Sequence, residues 1–363
     1  TALAYWQAGR SEKAYRLWKS MLLESMYLTS SPGNFQQLSF YDAFRGELYR
    51  DFSDSVAMAA RTLTEGIFGI HPNLLEDKLV IQPGFPREWD HASLAIDDIS
   101  IQFKRHMNTD KYSIKPSYEK ELKLILKLTA KTVLVENILV NGKKVSWKPS
   151  ANLVGEPRIE IDCGTGPEYN IEVKWNGDTP EQITLDSFTA TGEQLRLKAS
   201  KALFTDIYDP QGIFEESNVK NRDLTATIKS GPGHKTAFVR LKQGQMEWWE
   251  PVDIEVRDPV EIVAEDDQTV AGLEFCIRNN TSKLLAGNLS VNPASHDFSN
   301  EISIKPMSES SIITIPAVHL KPGSNLVKIE SGEKHYKSSI INWNIKSGDN
   351  RNWETVDFTN HMN

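Results

Sequence analysis

One short stretch between two helical segments carries the residue types that glycosidic bond cleavage requires. Residues 40–54 hold four carboxylates, two arginines and five aromatic side chains. Cleavage needs a protonated acid at the leaving oxygen and a carboxylate that activates water or attacks the sugar. Aromatic rings stack on sugar faces, while arginine and carboxylate groups form hydrogen bonds with sugar hydroxyls. The stretch therefore has the chemistry for one wall of a sugar-cleaving site.

The same residues also suit a purely structural role. Aspartate and arginine side chains within a loop can form a salt-bridge network that holds two helices together, and charge networks of this kind are common in structural settings. Composition alone favours this structural interpretation of residues 40–54.

Other motifs that could carry chemistry are weak. Residues 230–236 resemble a phosphate-binding loop, but their spacing is wrong and predicted strands flank them, so a hairpin turn is the better interpretation. No two of the eight histidines are spaced four positions apart as a helical metal pair would require. We therefore predict neither a metal site nor a cofactor.

Charge and hydropathy exclude two broad classes of partner. The chain has 363 residues and a net charge of −8, whereas a general nucleic-acid binder is expected to carry a basic excess. No window approaches the roughly 18 consecutive apolar residues of a membrane-spanning helix. We expect no nucleic-acid partner and no membrane span.

Hydrophobic periodicity divides the chain into helical and strand-rich parts. Apolar residues recur with helical spacing from Ser11, a predicted N-cap, and again from Ser53 and Asp54, whereas a period of two takes over after position 72. The predicted fold is multidomain and mainly β. Its units are 1–72 (helices), 73–177 (an antiparallel β-sandwich), 178–258 (an irregular connecting segment with short strands), 259–346 (an immunoglobulin-like β-sandwich) and 347–363 (a tail or the start of a further domain).

The chain begins at Thr1 without a signal peptide, and its two predicted helical segments have apolar faces that need partners. We interpret it as a piece of a longer protein, whose N-terminal part would cover those faces.

A second candidate sugar-binding feature lies in the connecting segment. Trp248 and Trp249 are flanked by Glu247 and Glu250, and a tryptophan between carboxylates can serve as a stacking platform. Adjacent residues of a strand point to opposite faces, so at most one of the two tryptophans faces solvent. This feature supports an alternative function, a non-catalytic carbohydrate-binding or cell-surface scaffold module.

Four segments together resemble a known junction. They are residues 4–10 (AYWQAGR), 50–56 (RDFSDSV), 65–72 (EGIFGIHP) and 78–92 (KLVIQPGFPREWDHA). This succession resembles the passage from the last helices of an (α/α)6 barrel into a C-terminal β-sandwich in bacterial glycoside hydrolases, in particular an uncharacterised multidomain family whose barrel is shared by the glucoamylase-like and rhamnosidase-like enzymes. The resemblance implies that residues 1–72 are the last helices of such a barrel.

The resemblance also implies a function and a site. Glucoamylase-like enzymes place a catalytic base in the loop before the last barrel helix, where Glu47 lies here, with Asp42 and Asp51 as reserves. Asp42, Arg45, Tyr49 and Asp51 would then bind substrate. The chain would be the C-terminal part of an inverting glycoside hydrolase acting on a polysaccharide or oligosaccharide, and would lie in the periplasm, on the cell surface or outside the cell. The general acid comes from an earlier helix, so the isolated chain would lack a complete active site.

Overall fold

We describe the fold from a computed structural model, which covers residues 1–23, 54–150, 154–185, 188–264, 272–292, 298–321, 323–331, 334–343 and 355–356. The predicted site residues Asp42, Arg45, Glu47, Tyr49 and Asp51 lie outside these described residues, so their roles stay predictions.

Helices form the N-terminal part, as the periodicity predicts. They are α1 (Ala2–Gln7), α2 (Ser11–Leu23) and α3 (Asp54–Arg61), which a π-helix (Thr62–Ile67) continues. The predicted start at Ser11 is confirmed to within one residue, because the Ala14 N–H donates to the Arg10 carbonyl and Arg10 therefore occupies the cap position. The predicted apolar face of α2 is only partly covered: Ala14 is buried, whereas Met21 is 53% exposed.

Trp6 joins the first helix to the sandwich that follows. Its ring is buried between the backbones of Gly66 and Gly84, where a β-carbon added to either glycine would lie within 2.7 Å of the indole. The indole Nε1 donates to the Gly84 carbonyl at 2.9 Å. Because no residue with a side chain fits these two positions, the glycines determine how closely α1 approaches the sheet.

A β-sandwich follows the helices, as the predicted fold class has it, and its strands run from Ile70 to Asn176. Its strands are β1 (Ile70–Asn73), β2 (Lys78–Ile81), β3 (His91–Ile96), β4 (Ile99–His106), β5 (Thr109–Pro116), β6 (Lys123–Thr129), β7 (Leu134–Val140), β8 (Lys143–Lys144), β9 (Trp147–Pro149), β10 (Arg158–Thr165) and β11 (Tyr169–Asn176). They form two sheets, in the orders β1-β2-β6-β10-β9 and β3-β4-β5-β11-β7-β8.

The strand pattern of this sandwich follows the sequence closely. Leu124, Leu126 and Leu128 are all buried on one face of β6, as their alternation predicts. Asn141 and Gly142, both at positive φ, make the predicted two-residue hairpin between β7 and β8. The expectation of purely antiparallel pairing is wrong at one place, because β2 pairs parallel with β6.

Residues 178–258 are more regular than predicted. The segment holds β12 (Thr189–Ala190), β13 (Gln194–Lys198), β14 (Leu203–Tyr208), β15 (Phe214–Lys220), β16 (Asp223–Ile228), β17 (Gly233–Gln243) and β18 (Met246–Arg257). These strands form the sheets β12-β18-β17-β14 and β13-β16-β15. An irregular connecting segment is therefore the wrong description, because β17 pairs with β18 at every position from Gly233 to Gln243.

The turn predicted at residues 230–236 also differs from a hairpin. The strands on either side are β16 and β17, as expected, but they belong to different sheets and do not pair with each other. The segment therefore carries the chain from one sheet to the other.

The last part of the chain forms two further sheets over their own core. Its strands are β19 (Val260–Ala264), β20 (Gly272–Asn279), β21 (Leu285–Val291), β22 (Phe298–Ile304), β23 (Ser308–Glu309), β24 (Ile313–Pro316), β25 (Gly323–Ser331), β26 (Lys334–Trp343) and β27 (Thr355–Val356), with a 3-10 helix at Ala317–His319. Buried side chains of both sheets, among them Phe275, Leu289 and Val327, form one cluster. This arrangement agrees with the predicted immunoglobulin-like sandwich.

The molecule is mainly β and contains several sheets, as predicted. One apolar cluster runs from Ala2 to Val256, and a second from Val260 to Leu320 and Ile329. The exact domain boundaries stay predictions. Within the described part of the chain, every helix is too short or too polar to span a bilayer.

Candidate functional site

Three aromatic side chains lie together on the outward side of the sheet β12-β18-β17-β14. Tyr208, Phe238 and Trp249 come from β14, β17 and β18, and we call them the aromatic face. The Tyr208 ring lies 6.1 Å from that of Phe238 and 6.4 Å from that of Trp249, measured between centroids. Tyr208 is 59% exposed, and the other two are half-buried. Large rings left accessible in this way are available to an external ligand.

Strand register brings these rings together. Tyr208 lies opposite Phe238, and Phe238 in turn lies opposite Pro251. Trp249 lies opposite Arg240, one row further along the same face. Because side chains of a strand alternate between faces, Val239, Leu241 and Trp248 point the other way and are buried.

The two adjacent tryptophans therefore have different environments, as predicted. Trp248 is 2% exposed and packs in the core, whereas Trp249 contributes to the aromatic face. A single strand thus supplies both a core anchor and an accessible ring.

Charged side chains border the aromatic face. The Arg240 guanidinium lies 5.9 Å from the centroid of the Trp249 ring, and its Nε is 3.0 Å from a carboxylate oxygen of Glu247. Asp206 occupies the row of Arg240 on β14. Hydrogen-bonding groups therefore surround an apolar surface, which is the arrangement that an amphipathic ligand requires.

A cleft of about 490 Å³ lies next to this face and is called the junction cleft below. Its walls come from four places in the chain: residues 9–13 with Arg16, residues 155–156, residues 182–185, and Glu250, Pro251 and Asp253 of β18. Its volume falls within the range of roughly 300–1,000 Å³ typical of small-molecule sites.

A glycine-terminated helix end places Arg10 in the cleft wall. The Gly9 N–H donates to the Trp6 carbonyl at 3.0 Å and the Arg10 N–H to the Tyr5 carbonyl at 2.9 Å, the two bonds of a Schellman motif. Gly9 has φ of +75°, and a β-carbon there would lie 2.6 Å from the Val154 carbonyl oxygen. Glycine is therefore required both by the left-handed backbone and by the close approach of residue 154.

The opposite wall contains residues 155–156, which follow a short bridge to β18. Val154 forms a parallel bridge with Trp249, and the Gly155 N–H donates to the Trp249 carbonyl at 2.8 Å. This contact brings Glu156 of the first sandwich next to Glu250 of β18, so two parts of the fold contribute carboxylates to one cleft.

Charges of both signs meet in the cleft, and two ion pairs form there. An Arg10 nitrogen lies 3.6 Å from a carboxylate oxygen of Asp253, and the Arg87 Nε lies 2.8 Å from a carboxylate oxygen of Glu156. The Arg87 backbone N–H donates to Glu12 at 2.8 Å. The cleft therefore presents donors and acceptors side by side rather than a field of one sign.

Glu250 is the most perturbed group of the cleft. Burial raises its pKa to about 7, and the nearby Glu156 carboxylate acts in the same direction. The Trp248 Nε1, which donates to Glu250 at 3.0 Å, opposes that rise, as do Arg10 and Arg87. The carboxyl group therefore carries a proton in a large fraction of molecules near neutral pH, where it can both donate and accept.

Arg158 lies beneath this wall. It is 6% exposed, and its Nη2 would be 3.1 Å from a β-carbon at Gly9. Its buried Nε has no hydrogen-bond partner within the described part of the chain. Burial lowers the pKa of Arg158, whereas Glu156 raises it.

The sequence identified part of this region and missed the rest. Trp249, Glu247 and Glu250 belong to the stretch singled out as a stacking platform, although Glu250 lines the cleft instead. Neither Tyr208 nor Phe238 was predicted to be a site residue. The signal for Phe238 was available, because it is an aromatic residue at an outward position of an alternating strand.

No cluster of three or more potential metal ligands (His, Cys, Asp or Glu) occurs among the residues that the structure describes.

Comparison with known proteins assigns no family. No family model matches the chain, and no curated protein matches it. The solved structures it resembles include the mixed-linkage glucan utilization locus protein SGBP-B of Bacteroides ovatus in complex with a mixed-linkage heptasaccharide, at 14% identity and a TM-score of 0.21, covering 61% of this chain and 57% of that one. The eight N-terminal Ig domains of Down Syndrome Cell Adhesion Molecule give 11% identity and a TM-score of 0.19, covering 69% and 47%. The BSP domain of a biofilm associated protein gives 10% identity and a TM-score of 0.15, covering 68% of this chain and 64% of that one.

The alignments thus span less than two thirds of each of these three structures.

Proposed function

We propose that this protein binds a carbohydrate on the aromatic face, outside the cytoplasm, as a recognition module of a polysaccharide-processing system. The observation that carries the proposal is the grouping of Tyr208, Phe238 and Trp249 on one accessible sheet face. A sugar ring has apolar C–H faces that pack on aromatic rings, and its hydroxyls need polar partners at the border. Arg240, Glu247 and Asp206 supply such partners.

The test is affinity electrophoresis in gels that contain neutral soluble polysaccharides (β-glucan, xylan, mannan and starch), followed by calorimetry with oligosaccharides of the glycan that binds. We expect Tyr208→Ala and Trp249→Ala each to weaken binding about three- to tenfold, because each removes one stacking surface. Tyr208→Phe should bind as the wild type does, since it keeps the ring.

Two matched variants control for general effects. Tyr118→Ala and Trp147→Ala remove half-buried rings of the first sandwich, away from the aromatic face, and should leave affinity unchanged. The proposal is wrong if the wild type binds none of the polysaccharides, or if Tyr208→Ala and Trp249→Ala bind as tightly as these controls.

A second candidate function is that of a glycoside hydrolase, of which this chain would be the C-terminal part. The observation that favours it is the contact among three of the four resembling segments: Trp6 of the first packs against Gly66 of the third and Gly84 of the fourth. Three of the four segments that resemble a barrel-to-sandwich junction thus pack together. In this proposal Glu47 is the base, Asp42, Arg45, Tyr49 and Asp51 bind substrate, and an N-terminal part of the protein completes the barrel.

The two proposals are compatible, because a sugar-binding face can hold a polysaccharide near a catalytic barrel. Each is tested by its own measurement. The carbohydrate-binding proposal is tested by the glycan affinity of the Tyr208 and Trp249 variants, and the hydrolase proposal by the hydrolytic activity of Glu47 variants of the longer protein.

A further inference from the structure

The junction cleft and the aromatic face are continuous. Trp249, Pro251 and Asp253 alternate along β18 and therefore lie on the same side of the sheet, and the last two also line the cleft. Pro251 is opposite Phe238 in the neighbouring strand, and Asp253 is opposite Thr236, whose hydroxyl donates to it at 3.0 Å. A chain molecule that follows this strand from Trp249 passes Pro251 and Asp253, which belong to the cleft.

The charge pattern of the cleft selects among ligand classes. An anionic ligand would face the carboxylates of Glu12, Glu156 and Asp253, and a cationic one would face Arg10 and the lysine and arginine of α2. A neutral ligand rich in hydroxyls meets no such conflict, because each hydroxyl can donate to a carboxylate and accept from a guanidinium. The alternation of the two signs, already paired at 2.8 and 3.6 Å, therefore favours a neutral polyhydroxylated ligand.

Glu250 adds a group suited to the same ligand. It lies on the inner side of the cleft wall, held by the Trp248 Nε1. With its pKa raised to about 7 by burial, its carboxyl group offers both a donor and an acceptor at neutral pH. A sugar hydroxyl can use both.

We propose that the junction cleft binds the next neutral sugar unit of the glycan that packs on the aromatic face, through hydroxyl hydrogen bonds to Arg10, Glu250 and Asp253. This inference rests on the proposed carbohydrate-binding function and adds a second subsite to it. The glycan would then occupy a composite site built from the turn between α1 and α2, the first sandwich and β18.

The experiment compares oligosaccharides of two lengths, a disaccharide and a hexasaccharide of the neutral glycan that binds the wild type, by calorimetry at pH 6.5. The variants are Asp253→Ala, whose side chain is exposed and whose loss should not affect folding, and Glu250→Ala. We expect each to weaken hexasaccharide binding about three- to tenfold while leaving disaccharide affinity within twofold of the wild type, since only the longer ligand reaches the cleft.

Asp223→Ala is the matched control, because it also removes an exposed carboxylate from an ion pair, in this case with Arg196. Both residues of that pair belong to the sheet β13-β16-β15, which does not include β18. It should bind both ligands as the wild type does. Circular dichroism of each variant establishes that it is folded.

The outcomes separate the two proposals. If Tyr208→Ala weakens binding of both lengths but Asp253→Ala and Glu250→Ala bind both as the wild type does, the cleft subsite is wrong and the aromatic face stands. If Tyr208→Ala has no effect, or the wild type binds no glycan, the proposed function itself is wrong. Tighter binding of oligogalacturonate than of the neutral hexasaccharide, lost in Asp253→Ala or Glu250→Ala, would overturn the assignment to a neutral ligand.

Discussion

At the scale of single residues, Glu250 shows how burial and function interact. Its carboxyl lies among Trp248, Arg10, Arg87 and Glu156, and burial outweighs the two arginines in setting its pKa near 7. The unfolded chain releases this proton near the ordinary value of 4.5. Between these two values the folded state binds more protons than the unfolded state, so the free energy of unfolding falls as pH rises through this window.

The first residue-scale prediction concerns Glu250→Gln, which keeps an acceptor for Trp248 and does not titrate. At pH 8 we expect it to raise the free energy of unfolding relative to the wild type, by up to roughly 3 kcal/mol for a pKa raised this far. At pH 4.5 the difference should be close to zero, because the wild-type carboxyl is then protonated in the folded protein. Urea denaturation at both pH values measures this.

Glu119→Gln, a change at an exposed carboxylate of a loop, is the control and should shift stability by less than about 0.5 kcal/mol at either pH. Equal stability of wild type and Glu250→Gln at pH 8 would contradict the burial argument.

At the scale of elements, closely packed glycines determine how the helices meet the sheets. Gly66 and Gly84 admit the Trp6 ring, and Gly9 ends α1 so that Arg10 enters the cleft wall. The position of the cleft therefore depends on contacts that carry no charge and lie outside it. A change in this packing should alter stability and cleft geometry together.

The element-scale prediction is that Gly84→Ala destabilises the protein by about 3 kcal/mol, at the upper end of overpacking effects. The added β-carbon would lie 2.2 Å from Trp6 Cδ1 and 2.8 Å from the Gly66 carbonyl oxygen, so backbone as well as side chain must move. Urea denaturation followed by tryptophan fluorescence gives the change.

Gly231→Ala is the matched control for this substitution. A β-carbon at that position meets no atom within 4 Å, so the substitution should be neutral or slightly stabilising through its effect on the unfolded chain. If Gly84→Ala were as stable as Gly231→Ala, the close packing of Trp6 would not be a constraint.

At the scale of the whole molecule, the helices, the first sandwich and the strands up to β18 share one apolar cluster, and the C-terminal sheets have another. The proposed carbohydrate site is built entirely within the first of these. Met21, exposed on α2, marks a helix face that the longer protein of the hydrolase proposal would cover.

The whole-molecule prediction tests that proposal. In the longer protein, Glu47→Gln should lower kcat for polysaccharide hydrolysis by about 10²- to 10⁴-fold, because a general base contributes about that much. Release of reducing ends, measured with substrate above KM, gives kcat directly. Glu216→Gln, at an exposed strand position, should hydrolyse at the wild-type rate.

Near wild-type hydrolysis by Glu47→Gln would remove Glu47 from the mechanism. The same measurement on Asp42→Asn and Asp51→Asn then decides between the two reserve carboxylates.

The sequence by itself determined the local structure of much of this protein. The alternation around Leu124, the Asn141–Gly142 turn and the helix that begins at Ser11 all depend on interactions between near neighbours, and each was predictable for that reason. The opposite environments of Trp248 and Trp249 follow from the same local rule.

Only the tertiary structure decided which distant residues share a site. Strand periodicity says which side chains share a face, but not which strands are neighbours or in what register. The pairing of β14, β17 and β18 brings Tyr208 to Trp249, and the bridge from residue 154 brings Glu156 to Glu250. Sheet order is a property of the packed chain, because it is selected by burial of the whole core rather than by any one segment.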